Sequence, residues 1–119
     1  MTSDIVHIEI PVKNLQSAKE FYEKIFDWKI EIIPGFDDYA FFTTSETGVG
    51  GAFERSDTKV AKGEIMLHIE TENIPNTLET IVKAGGKIVK EKTEIGNEFG
   101  FYAVFEDIFG NVLGLWSKK

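Results

Sequence analysis

Two pairs of polar residues, each inside a short apolar segment, have the clearest potential for chemistry in this sequence. His7 and Glu9 lie two apart in IVHIEI, and His68 and Glu70 lie two apart in IMLHIE. Because strand side chains alternate between faces, each pair points to one face and the isoleucine between them points to the other. Imidazole and carboxylate groups bind metals, transfer protons and polarise carbonyl groups. The pairs are therefore candidates for metal binding, ligand binding or catalysis.

Each pair opens one copy of an internal repeat. In both copies an alternating strand leads to a helix with apolar residues at helical spacing, and further strands follow. Asn14 and Asn73 are placed as the helix N-caps, which sets an offset of 59 between the copies. Residues 39–53 match residues 102–116 at an offset of 63, which predicts a longer loop near 90–100 in the second copy.

The two copies together resemble the vicinal-oxygen-chelate superfamily, which includes glyoxalase I, bleomycin-resistance proteins and extradiol dioxygenases. The resemblance covers nearly the whole chain and rests on HIEIPVKNLQSAKEFYEKIFDW, HIETENIPNTLETIVKAGGKIV and DIFGNVLGLW. It implies an α+β fold of two tandem βαβββ modules, with curved mixed sheets around a cleft, helices outside, and a homodimer. Residues 1–119 are thus expected to form a single glyoxalase-like domain, with module 1 at about 1–54, a linker at about 55–64 and module 2 at about 65–119.

Alternation along the strands predicts which side chains line that cleft. The predicted ligand-binding residues are His7, Glu9, Tyr39, Phe41, Phe53, Met66, His68, Tyr102 and Trp116. A β-bulge would reverse any of these assignments. The set is mostly aromatic with a small polar centre, as small-molecule sites usually are.

The resemblance also implies four metal-ligand positions, one on the first and one on the last strand of each module. His7 fits the first of them. Its counterpart in the second module is Met66, and the last-strand positions map to Gly51 and Gly114, where carboxylates are expected. A thioether is a poor ligand for hard divalent ions, and glycine offers no side-chain ligand. Ordinary glyoxalase I activity is therefore not expected.

Three functions fit this pattern. The first is binding of an aromatic or amphipathic small molecule without a metal cofactor, as the bleomycin-resistance relatives do. The second is a lyase, isomerase or dioxygenase with a displaced divalent metal at His7, Glu9 and His68, where Glu9 is the general base. The third is an interaction module that binds no ligand and uses exposed aromatic residues to form the dimer.

Composition narrows the partners and the location. The 119 residues are 42% hydrophobic, include no cysteine and carry a formal net charge of −7. An acidic chain without a basic patch repels phosphate backbones and weakly favours cationic ligands, so nucleic acid is not an expected partner. The start MTSDIVHIEI has neither a basic segment nor a long apolar run, and no stretch approaches the roughly 20 residues of a membrane helix. We therefore expect a cytoplasmic protein that does not bind membranes.

Overall fold

Each half of the chain forms one four-stranded mixed sheet and one helix. The computed structural model describes residues 5–119, so the first four residues of the predicted module 1 lie outside the described residues. The first compact unit ends at Val60 and the second begins at Ala61. The element order is βαβββ in both, so the predicted α+β fold of two tandem modules is confirmed.

The first unit contains four strands and helix α1. Its elements are β1 (Ile8–Val12), α1 (Leu15–Ile25), β2 (Lys29–Ile32), β3 (Tyr39–Thr43) and β4 (Gly51–Arg55). The strands are ordered β1-β4-β3-β2, with β1 parallel to β4 and the other pairs antiparallel.

The second unit repeats this order. Its elements are β5 (His68–Glu70), α2 (Ile74–Lys83), β6 (Lys87–Glu94), β7 (Phe101–Glu106) and β8 (Val112–Ser117). The strands are ordered β5-β8-β7-β6, and β5 is parallel to β8. Strand β6 has two register irregularities where it pairs with β7.

The helices begin where their caps predict. The Asn14 side chain accepts a hydrogen bond from the Ser17 amide at 2.8 Å, and the Asn73 side chain accepts one from the Asn76 amide at 3.0 Å. Each bond satisfies one of the amides that a helix N-terminus leaves unpaired. The second helix is followed by Gly85 at a φ of 102°, a left-handed conformation that suits glycine.

An aromatic cluster forms the core between α1 and the first sheet. Trp28 stacks on Tyr22 and on Phe42, with ring centres 5.2 and 4.8 Å away. Phe53 lies 4.9 Å from Tyr22 and 5.0 Å from Phe42 and is completely buried. The predicted orientation of Phe53 toward the ligand is therefore wrong, because this side chain faces the helix.

The strand register explains this error. Strand β4 pairs Phe53 with Ile10, and its neighbour Ala52 pairs with Glu9. In the first unit Tyr39 pairs with Glu54, and in the second unit its counterpart Tyr102 pairs with Trp116. The paired residues are one position closer in the sequence in the second unit than in the first. The chain between matched paired residues is thus one residue longer in the β3–β4 hairpin than in the β7–β8 hairpin. The structural counterpart of Gly114 is therefore Ala52, and not Gly51 as the offset of 63 implied.

Neither described helix is a candidate for crossing a membrane. Helix α1 has 11 residues and α2 has 10, and no helix within residues 5–119 is long and apolar enough to span a bilayer.

Candidate functional site

Each sheet has one face against its helix and one face turned away from it, which we call the open face. On the first sheet the open face carries Glu9, Tyr39, Phe41, Ala52 and Glu54, since the strand register pairs Glu9 with Ala52, Phe41 with Ala52 and Tyr39 with Glu54. Paired residues on neighbouring strands project to the same side. The sheet thus places Glu9, Tyr39 and Phe41, all predicted as ligand-binding residues, on one surface.

The polar pair that begins this face is in direct contact. The His7 Nε2 lies 3.3 Å from the Glu9 Oε2, and each side chain is 46% exposed. His7 directly precedes β1, so the contact joins this residue to Glu9, the second residue of the strand. The two groups can share a proton or jointly contact a ligand.

A second carboxylate lies beside Tyr39. The Tyr39 hydroxyl donates a hydrogen bond to the Glu54 Oε2 at 3.4 Å, and the other carboxylate oxygen lies 3.4 Å from the Lys59 ammonium. The negative charge of Glu54, and then that of Glu9, raises the pKa of Tyr39, because both carboxylates oppose formation of a phenolate. The centre of this face therefore carries negative charge.

Removing the Glu54 charge should lower the pKa of Tyr39. In Glu54→Gln the largest opposing charge is gone, so the phenolate forms at a lower pH than in the wild type. Carbon-13 NMR of labelled tyrosine, followed through alkaline pH, measures the change. Glu31→Gln is the control, because Glu31 pairs with Phe41 on the same face but does not contribute to the shift. An unchanged Tyr39 titration in Glu54→Gln would contradict the assignment.

Aromatic rings form the rest of this face. Tyr39 and Phe41 stack with ring centres 6.4 Å apart, and Phe36 meets Phe41 edge-on at 5.9 Å and 77°. Phe36 comes from the loop between β2 and β3 and is 53% exposed. Sequence reasoning missed Phe36, because a loop residue has no strand alternation from which its direction can be predicted.

The open face of the second sheet carries the other predicted polar pair. Between β5 and β8, His68 pairs with Gly114 and Glu70 pairs with Trp116. Between β7 and β8, Tyr102 pairs with Trp116 and Val104 pairs with Gly114. His68, Glu70, Tyr102, Val104 and Trp116 therefore share this face. Met66 precedes β5, and its sulfur lies next to Gly63.

Gly114 leaves room for the His68 ring. A Cβ atom at Gly114 would lie 2.5 Å from the His68 Cδ2 and 2.7 Å from its Nε2. Contacts this short do not occur between real side chains, so the ring and any side chain at this position exclude each other. The absence of a side chain at Gly114 therefore allows the imidazole to lie over this part of β8.

Gly114→Ala should displace the His68 ring at little cost in stability. We expect a change of no more than about 1 kcal/mol in the free energy of unfolding, because the added methyl group would strike only the ring of an exposed side chain, which can rotate away. Urea unfolding measures the change, and NMR of the His68 ring signals measures the displacement. Unchanged His68 ring signals in Gly114→Ala would contradict the contact.

Two further side chains adjoin this second face. The Lys90 ammonium lies 5.3 Å from the centre of the Tyr102 ring, and the Trp116 indole N–H donates a hydrogen bond to the Phe99 carbonyl at 2.9 Å. Phe99 is 63% exposed in the loop before β7. Lys90 and Phe99 were not predicted, because both depend on the irregular register of β6 and on the loop that follows it.

The described residues do not form a metal-binding cluster within either unit. Among residues 5–119, no group of three His, Asp or Glu side chains in one unit is placed to hold a metal ion. Of the three residues predicted for a displaced metal, His7 and Glu9 meet in the first unit, and His68 belongs to the second.

Comparison with known sequences gives a match over nearly the whole chain. The family model of the Glyoxalase/Bleomycin resistance protein/Dioxygenase superfamily matches residues 4–115. A glyoxylase-like domain-containing protein from Didymella fabae is 24% identical over 116 residues, which cover 93% of this chain and 91% of that protein.

Solved structures with a similar fold include two from bacteria. A glyoxalase/bleomycin resistance protein/dioxygenase family enzyme from Burkholderia phytofirmans PsJN matches with a TM-score of 0.77 at 15% identity, covering 98% of this chain and 100% of that one. A variant of the fosfomycin resistance protein FosX from Listeria monocytogenes, complexed with Mn(II) and 1S,2S-dihydroxypropylphosphonic acid, matches with a TM-score of 0.78 at 19% identity, covering 98% and 90%. At these identities the likeness establishes the fold.

Proposed function

Because the chain belongs to the Glyoxalase/Bleomycin resistance protein/Dioxygenase superfamily, we propose that it binds a small aromatic or amphipathic molecule, without the usual four-ligand metal site. The observation that carries this proposal is the chemistry of the open faces. Each face places partly exposed aromatic side chains beside ionisable groups: Tyr39 and Phe41 beside Glu9 in the first unit, and Tyr102 and Trp116 beside His68 in the second. Small-molecule sites combine an apolar lining with a few polar groups in this way.

The residues at the four expected metal positions do not fit a divalent ion. Met66 offers only a thioether, Ala52 has no ligand atom, and the space at Gly114 is taken by the His68 ring. His7 alone could ligate at its position, and it contacts Glu9. A FosX variant is complexed with Mn(II), whereas three of the four positions at which the resemblance places metal ligands are Met66, Ala52 and Gly114 in this chain. No step of the proposed function therefore passes through a metal.

Ligand binding can be tested by a thermal-shift screen of aromatic and amphipathic compounds. A ligand that binds only the native protein at 100 times its dissociation constant stabilises it by about 2.7 kcal/mol. Compounds that stabilise the wild type should lose their effect in Phe41→Ala, Trp116→Ala or both. Val82→Ala, on an exposed helix position in the second unit, is the control that should keep the effect.

Two results would overturn the binding proposal. One is a complete absence of stabilising compounds across the screen. The other is stabilisation that survives both open-face substitutions, since binding would then occur elsewhere on the protein. If the stabilisation by a compound is lost in only one of the two variants, the compound binds to the open face of the unit that carries that substitution.

A second candidate function is enzymatic, and the contact between His7 and Glu9 favours it. In this case the Glu9 Oε2 would accept a proton from a carbon next to a substrate carbonyl, and the electron pair would move onto the carbonyl oxygen. His7 would hold and orient the carboxylate. Glu9→Gln should then abolish turnover of a glyoxalase-type substrate while the unfolding temperature stays unchanged. Glu72→Gln, on the exposed surface, is the control. Turnover that survives in Glu9→Gln would eliminate this role.

The cytoplasmic location and the homodimer belong to the same proposal. The composition supports the location, and the resemblance to the family supports the homodimer. Analytical ultracentrifugation of the untagged protein tests the dimer, and a sedimenting monomer at micromolar concentration would exclude it.

A further inference from the structure

The first open face contains an aromatic corner, defined as Phe36, Tyr39 and Phe41, that adjoins two carboxylates. Phe36 and Phe41 stand at 77° to each other, and Tyr39 lies nearly parallel to Phe41 at 22°. The rings thus form two walls that meet at an angle. Phe36, at 53% exposed, leaves one wall accessible.

Aromatic faces attract cations because the ring quadrupole places negative charge above and below the ring plane. Two carboxylates add full negative charges beside the corner. Glu54 accepts a hydrogen bond from the Tyr39 hydroxyl, and Glu9 lies on the same face and also raises the pKa of that hydroxyl. Glu54 is the less exposed of the two, at 25%, so its charge is screened less by solvent than that of a surface residue. A ligand that is both apolar and positively charged satisfies rings and carboxylates together.

The protein already places one of its own cations here. The Lys59 ammonium lies 3.4 Å from the Glu54 Oε1, while the Oε2 of the same carboxylate accepts from Tyr39. The Lys59 side chain is 67% exposed and comes from the segment after β4, so a ligand can displace it without disturbing the sheet. The position beside Glu54 is thus suited to an ammonium group.

We propose that the aromatic corner and the carboxylates of Glu9 and Glu54 bind an organic cation of the alkylammonium class. This inference rests on the proposed function, because it assigns the charge of the ligand and the face that takes it. The rings contact the alkyl groups, and the carboxylates balance the charge. A neutral molecule of the same shape would contact the rings but gain no attraction from the carboxylates, so it should bind more weakly.

The test compares choline with its uncharged isostere, 3,3-dimethyl-1-butanol, by NMR titration of the full-length protein. Choline should shift the signals of the aromatic corner and bind at least about fivefold more tightly than the isostere. Phe36→Ala and Glu54→Gln should each weaken choline about two- to fivefold. Lys59→Gln should strengthen it, because the competing ammonium is removed. Affinity should fall as sodium chloride is added.

The control variant Lys92→Gln removes a lysine from the second unit, whose ammonium lies 4.4 Å from the Phe101 ring, and should leave choline binding unchanged. Equal binding of choline and its isostere at this face would overturn the cation proposal and leave small-molecule binding intact. If choline binds but Phe36→Ala and Glu54→Gln are both without effect, the cation site is elsewhere and the assignment is wrong. A wild type that binds neither choline nor any screened compound would overturn both proposals.

Discussion

Phe53→Ala should lower the free energy of unfolding by about 3–5 kcal/mol, the range for removing a large aromatic side chain from a packed core. Phe53 is completely buried and contacts Tyr22, Trp28 and Phe42. Its removal leaves a cavity between α1 and the sheet that the stacked rings cannot easily fill. Urea unfolding followed by tryptophan fluorescence measures the loss.

The matched control is Phe41→Ala, one strand away on the opposite face of the same sheet. Phe41 is partly exposed and contacts the rings of Phe36 and Tyr39, so its removal should cost about 1 kcal/mol. The two substitutions therefore separate the core from the proposed ligand face. If Phe53→Ala were as mild as Phe41→Ala and abolished ligand binding, the register given for β4 would be wrong.

Asn111→Ala should destabilise the second unit by about 2–4 kcal/mol, since it removes bonds that satisfy buried polar groups. The Asn111 side chain is completely buried, and its oxygen accepts a hydrogen bond from the Ala61 amide at 2.8 Å. The Asn111 side-chain Nδ2 donates a hydrogen bond to the Asp107 Oδ2 at 2.8 Å. The Asp107 Oδ1 accepts hydrogen bonds from the backbone N–H groups of Phe109 and Asn111. This side chain thus holds the β7–β8 turn and the segment entering the unit together.

Asn76→Ala provides the control, because Asn76 is exposed on α2 and its removal should change stability by no more than about 0.5 kcal/mol. Thermal and urea unfolding of the three proteins would be compared. A loss in Asn111→Ala as small as that in Asn76→Ala would mean that the turn is held by its backbone bonds alone.

Much of the fold could be predicted from the sequence because local signals and periodicity agree. The caps Asn14 and Asn73 mark both helix starts, and alternation around His7 and His68 gives the open faces of β1 and β5. The repeated order of these signals, with the motif DIFGNVLGLW, was enough to predict the superfamily.

The errors and omissions come from places where alternation is interrupted. One extra residue between the paired positions of β3 and β4 reversed the face predicted for Phe53, and no sequence rule gives the strand register from the length of a loop. Phe36 lies in a loop. The packing of the His68 ring on Gly114 depends on two strands that are distant in the sequence, so the glycine alone did not reveal what takes its space.

The most direct test of the central claim is the metal content of the purified, untagged protein, measured together with thermal unfolding in Zn²⁺, Ni²⁺, Mn²⁺ and Fe²⁺. Our account predicts far less than one metal ion per chain and no metal-dependent stabilisation. The result that would contradict it is one equivalent of metal that stabilises the protein and is lost in both His7→Ala and His68→Ala. That outcome would replace metal-free ligand binding with a displaced metal site and the enzymatic function.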